Sequence, residues 1–112
     1  MNYYRLDQDE NPVVETNTTA WEGWMRTRER TAHDTVGLFV VSTVFLGMDH
    51  NHGNGPPVLW ETMVFPLDPR TGEHDWSELE CRRYTTAQAA REGHAEILKR
   101  YDRERLATLA NQ

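Results

Sequence analysis

The sequence predicts an α+β fold: a small antiparallel sheet built on a long central hairpin, packed by a short N-terminal helix and a longer C-terminal helix. Two observations carry this expectation. Two apolar stretches, Thr35–Gly47 and Val58–Leu67, alternate with period two around a loop rich in glycine and proline. Before them Trp21, Trp24, Met25, Arg28 and Ala32 recur at helical spacing, and after them Ala90, His94, Ile97, Leu98 and Tyr101 do the same, with Leu109 further along. With 112 residues the chain is long enough for one domain, 1–112, around a single core.

Tyr3–Leu6 and Val13–Thr16 read as short strands. The intervening DQDENP favours a turn, because Asp and Asn hydrogen-bond their own backbone and Pro12 has a restricted φ. Asn17, Thr18 or Thr19 can cap the first helix, with Glu22 placed as a capping-box partner of Thr19. Thr35–Gly47 is apolar on both faces and so reads as one central strand. Asp68–Gly72 is a turn signal, and part of Trp76–Tyr84 fits a third, edge strand. Thr85 or Thr86 starts the long helix, and Thr108–Gln112 is expected to fray.

Composition narrows the function. Acidic residues outnumber basic ones 18 to 12, and the arginines of the C-terminal helix are interleaved with acids, as in Glu96 with Arg100. This argues against a nucleic-acid backbone as partner. The longest apolar run, Val36–Met48, is too short and too β-branched to span a bilayer, and no basic start followed by an apolar segment marks a secretory signal. A lone cysteine, Cys81, excludes an intramolecular disulfide and fits a reducing cytoplasm.

Chemistry has few places to sit. Asp49, His50 and His52 occupy the hairpin loop, where imidazoles and a carboxylate could hold a metal with a third ligand from Glu61, His74, Cys81 or His94. An exposed polar loop is the simpler reading. Glu61 lies inside an otherwise apolar strand and His94 inside the apolar stripe of the helix. A Glu61–His94 pair is therefore expected if the helix covers that face, either as a register-fixing contact or as part of a site. Gly53–Pro57 enters a strand, not a helix, and so lacks a phosphate-loop fingerprint. Trp21 and Trp24 are expected in the core, whereas Trp60 and Trp76 are the tryptophans expected at a partly exposed surface. Cys81 has no histidine placed beside it and is not expected to act as a nucleophile.

The segments VSTVFLGMDH, GPP, ETMVF, RRYTT and EGH, together with RLDQDENPV and the Trp21–Trp24 helix, resemble a group of small proteins encoded by tailed bacteriophages and prophages. That family has a sequence pattern without an assigned activity, so the resemblance implies a phage origin and little chemistry. Asp49, His50, Glu61, Tyr84 and His94 are the polar residues that match its pattern. His52 stands where the pattern has an apolar or aromatic residue, which weakens the H-x-H metal reading.

Two functions follow as expectations. The first is a non-catalytic accessory protein in the host cytoplasm that binds a host or phage protein through the Trp60 and Trp76 region or a sheet edge, with a homodimer left open. The alternative is a small-ligand or metal site at Asp49, His50, Glu61 and His94; as an enzyme it would be a hydrolase using a carboxylate–histidine pair. The sequence names no catalytic residue, metal or cofactor.

Overall fold

The structure is a computed structural model that describes residues 2–51, 53–73 and 77–110, with side chains up to Glu104. His52, His74, Trp76 and the side chain of Leu109, all singled out above, lie outside the described residues. The order of elements is β1 (Tyr3–Leu6), β2 (Pro12–Glu15), α1 (Thr18–Thr27), β3 (Ala32–Val36), β4 (Phe39–Phe45), β5 (Trp60–Pro66), β6 (Glu80–Tyr84) and α2 (Ala87–Ala110). β1 and β2 form a two-stranded antiparallel ribbon. The other strands form one antiparallel sheet in the order β3-β4-β5-β6, and the fold is α+β.

The β1–β2 turn is organised by Asp7, whose Oδ1 accepts the backbone N–H groups of Asp9 and Asn11, both at 2.9 Å. These bonds, that from Asn11 foremost, hold the Asp7 carboxyl below its usual range. α1 is capped by Asn17, whose side chain accepts the Ala20 N–H at 3.0 Å; the Thr19–Glu22 capping box is not what starts it. The helix ends at Thr27 because Arg28 turns extended, so the Trp21–Trp24–Met25–Arg28 spacing stops one turn before Ala32, which begins β3.

The expected single strand Thr35–Gly47 is broken at Gly37. Val36 pairs with Phe39 across a two-residue turn, and Gly37 takes φ 58° at the first central position, a conformation that costs glycine little. Apolar alternation ran straight through this turn, which hid it. Across the sheet, Phe39, Val41, Thr43 and Phe45 of β4 share a face with Trp60, Thr62 and Val64 of β5. α2 packs on that face, capped by Thr86, whose hydroxyl accepts the Ala89 N–H.

Two apolar clusters result. Val41 and Val64 meet Ile97 and Tyr101 of α2. Phe45, Leu59 and Trp60 meet Ala90, with Tyr4, Leu6, Trp24 and Met25 of the N-terminal unit closing that end. Gly47, at φ 77°, lets this unit dock: a Cβ there would lie within 2.9 Å of Met25 and Trp21 side-chain atoms. Gly93 plays a similar packing role in α2, where Tyr84 lies flush against it. No helix among the described residues is long and apolar enough to cross a membrane.

Two glycines of the helices should respond oppositely to alanine. A Cβ at Gly93 would fall within 2.6 Å of three Tyr84 atoms, so Gly93→Ala is expected to destabilise by about 1–3 kcal/mol. Gly23 has nothing within 4 Å of its virtual Cβ. Gly23→Ala should therefore stabilise α1 by about 0.4–1 kcal/mol. Urea unfolding of both variants checks the pair of signs.

Candidate functional site

The densest polar constellation in the core runs from β5 through β4 to α2 and out to the sheet edge. Thr62 and Thr43 are cross-strand partners on the α2 face, and their hydroxyls are 2.5 Å apart. Thr43 Oγ1 lies 2.7 Å from His94 Nδ1, and His94 Nε2 lies 2.7 Å from a carboxylate oxygen of Asp34 on β3. With a neutral imidazole carrying its proton on Nε2, every bond in the row is satisfied in one direction. Thr62 donates to Thr43, Thr43 donates to Nδ1, and Nε2–H donates to Asp34.

An acid, an imidazole and a hydroxyl in line resemble the arrangement that activates a nucleophile. Accessibility decides against that use. Thr43 and Thr62 are both 0% exposed and His94 is 4% exposed, so a substrate reaches neither hydroxyl; only Asp34, its side chain half exposed, meets solvent. The row is a satisfied polar layer between the two apolar clusters.

This geometry corrects the expected Glu61–His94 pair. β5 alternates, so Thr62 faces α2 and Glu61, one residue earlier, points to the opposite face. There its carboxylate accepts from Arg83 Nε of β6 at 3.0 Å, with Glu61 only 7% exposed. The partner of His94 is Asp34, an exposed residue on an edge strand that no apolar pattern marked.

Asp49 organises the loop. Its Oδ1 accepts the N–H groups of Asn51 at 2.7 Å and Val58 at 2.8 Å, pinning the two ends of the connection together, while Asn51 bonds Gly53 N and Pro56 O further out. The His50 N–H donates to Val58 O at 2.9 Å, and its side chain is half-buried. No group of three or more His, Cys, Asp or Glu that could hold a metal forms among the described residues, so Asp49, His50, Glu61 and His94 do not assemble into a metal site there.

Trp60 also departs from expectation. It is fully buried, paired with Phe45 on one side and Tyr84 on the other, because its face is the one α2 covers. Its indole N–H and the Tyr84 hydroxyl are buried without a hydrogen-bond partner among the described residues. Cys81 is exposed on β6. Burial of the thiol, followed by the Glu61 and Glu78 carboxylates, nevertheless pushes it up from 9.0 to about 11, against the opposing pull of Arg83.

Compared with protein-family profiles, curated proteins and solved structures, the chain finds no match in any of the three.

The polar row gives a graded prediction. Thr43→Val strips the donor from His94 Nδ1 and the acceptor from Thr62, and should cost about 1–3 kcal/mol. Thr62→Val removes only the end of the row and should cost less; equal losses in chemical denaturation would contradict the place of Thr43 in the middle of the row. For Cys81, a folded-state value raised from 9.0 to about 11 keeps the thiol protonated at neutral pH. Its alkylation by iodoacetamide should be slow there and climb about tenfold per pH unit toward that value. The neutral thiol favours the fold below the unfolded value, so this contribution is lost as pH rises from 9.0 toward about 11. A rate plateau near pH 9 would contradict the environment described.

Proposed function

We propose that this chain is a non-catalytic phage accessory protein that works by binding a host or phage protein in the host cytoplasm. The observation that carries the reading is the sealed polar row: the hydroxyls an acid–imidazole pair would activate have no exposed surface. A binding role asks instead for an accessible surface of mixed character.

The sheet face opposite α2 offers such a surface along its β6 side, where Leu79, Cys81 and Arg83 are exposed, while Val40, Phe65 and Glu61 of the same face are buried. Its side chains form three rows read from the register. Thr35, Val40 and Phe65 lie in line, with Leu79 continuing the row just before β6; its N–H bonds Val64 O at 2.8 Å. His33, Ser42, Met63 and Cys81 form the second row, and Val44, Glu61 and Arg83 the third. α2, α1 and the β1–β2 ribbon all pack toward the other face, and among the described residues no helix or strand lies over these rows. The face thus grades from apolar to ion-paired, with Leu79 half exposed at the apolar end and Arg83 at the charged end. Interfaces combine such apolar centres with arginine and a polar rim. The Trp60 expected at the contact is replaced in this reading by Leu79, Met63 and Arg83.

A photo-cross-linking residue placed at Leu79 should trap one host or phage protein in infected cells, whereas the same residue at Lys99, exposed on α2, should not. His50→Ala should leave that capture unchanged. Equal trapping from both positions, no trapping at Leu79, or loss of capture in a folded His50→Ala protein would each overturn the reading.

A further inference from the structure

We propose that the groove between the β1–β2 turn, the end of α1 and Arg91 of α2 is a binding site for a small organic carboxylate with an apolar or aromatic body. This site is independent of the sheet-face reading. The groove holds about 640 Å³, with Leu6, Trp24 and Phe45 contributing apolar surface and Arg28 and Arg30 contributing charge.

Arg28 is the central observation. Its guanidinium donates from Nε and Nη2 to Phe45 O, at 3.2 and 2.7 Å, and from Nη1 to Met25 O at 2.7 Å. Both acceptors are neutral carbonyl oxygens. A guanidinium has five N–H donors, so one hydrogen on each Nη has no acceptor among the described residues, a pair that a carboxylate takes in bidentate fashion. Burial lowers the Arg28 value from its ordinary one, and no acidic neighbour contributes to offset it. A partly desolvated cation held by dipoles alone is a poor end state for a folded chain and a ready receptor for an anion.

The surrounding charges select the kind of anion. Arg91 is already answered by Glu10, in a bidentate pair, and donates to Thr31 O as well, so it frames the groove and is not free to bind. Arg30 is exposed and among the described residues bonds His33 Nδ1, at 3.4 Å, and no carboxylate, leaving its charge available at the rim. Asp7, Glu10 and Glu29 line the same groove. Their carboxylates would repel a phosphate dianion or a polyanion strongly, whereas a single carboxylate seated on Arg28 meets least repulsion. The apolar floor then favours a carboxylate that carries hydrocarbon over an inorganic ion.

The test uses the full chain, ¹⁵N-labelled, with phenylacetate as probe, phenylacetamide as its neutral counterpart and inorganic phosphate as the compact anion. Arg28 also fastens α1 to β4, so the variant is Arg30→Gln, which sits on the exposed rim. Phenylacetate should shift the Trp24 indole N–H and the Thr27 and Thr31 amides saturably in the millimolar range. Phenylacetamide should bind about tenfold more weakly, and Arg30→Gln should lose affinity for phenylacetate several-fold. No saturable shift, shifts confined to the sheet face, equal binding of the amide, phosphate binding as tightly as phenylacetate, or an unaltered Arg30→Gln affinity would each overturn the proposal.

Discussion

The hydrogen-bonded row Thr62–Thr43–His94–Asp34 is the constraint on which the rest of the structure depends. It runs across three strands and into α2, with one apolar cluster on either side of it. Apolar contacts tolerate sliding of a helix along a sheet, since one aliphatic neighbour substitutes for another. A buried imidazole does not: displaced by one turn, His94 would leave the Thr43 hydroxyl without its acceptor and both of its own ring nitrogens without partners, at about 1–3 kcal/mol for each stranded group. Ala90, His94, Ile97 and Tyr101 therefore meet the sheet at one register only. A polar layer that specifies register inside an apolar core is among the uses such groups have elsewhere.

That row also determines how the polar residues are distributed. Because Thr62 is committed to the α2 face, strand alternation sends Glu61 to the opposite one, beside Arg83. The acid–imidazole–hydroxyl row is closed, and what stays accessible among the described residues is the β6 side of the far sheet face and the groove at the N-terminal unit. Ion pairs between β6 and α2, Arg82 with Glu96 and Arg100 with Glu80, lie along the rim of this packing. Such partly exposed pairs contribute little stability and are better regarded as orientation than as glue.

The N-terminal unit is attached by different means. α1 is short and has no fully buried residue, so its own packing is modest. Its position rests on a glycine that admits Met25 and Trp21, on the Trp21 indole N–H donating to Tyr4 O, and on Arg28 reaching two carbonyls. The last of these leaves a guanidinium at the groove with donors to spare, so one side chain serves both as a strut and as the receptor inferred above.

Sequence alone determined the class of fold, the two helices, the long hairpin and the edge strand, because alternation and helical spacing are local consequences of burying one face. It also marked Glu61 and His94 as polar residues inside apolar patterns, and Asp49 as part of a polar hairpin loop. It could not show the turn at Gly37, since the apolar alternation of Val36 and Leu38 continues into β4 and reads as one run. Nor could it choose the partners. Which face of β5 the helix covers depends on the packing of elements far apart in the chain, so Glu61 with Arg83, His94 with Asp34 and the burial of Trp60 were decided only by tertiary structure. Arg28 read only as one position of the first helix's spacing until the fold carried it against Phe45, because burial of a side chain is a property of its neighbours in space and not in sequence.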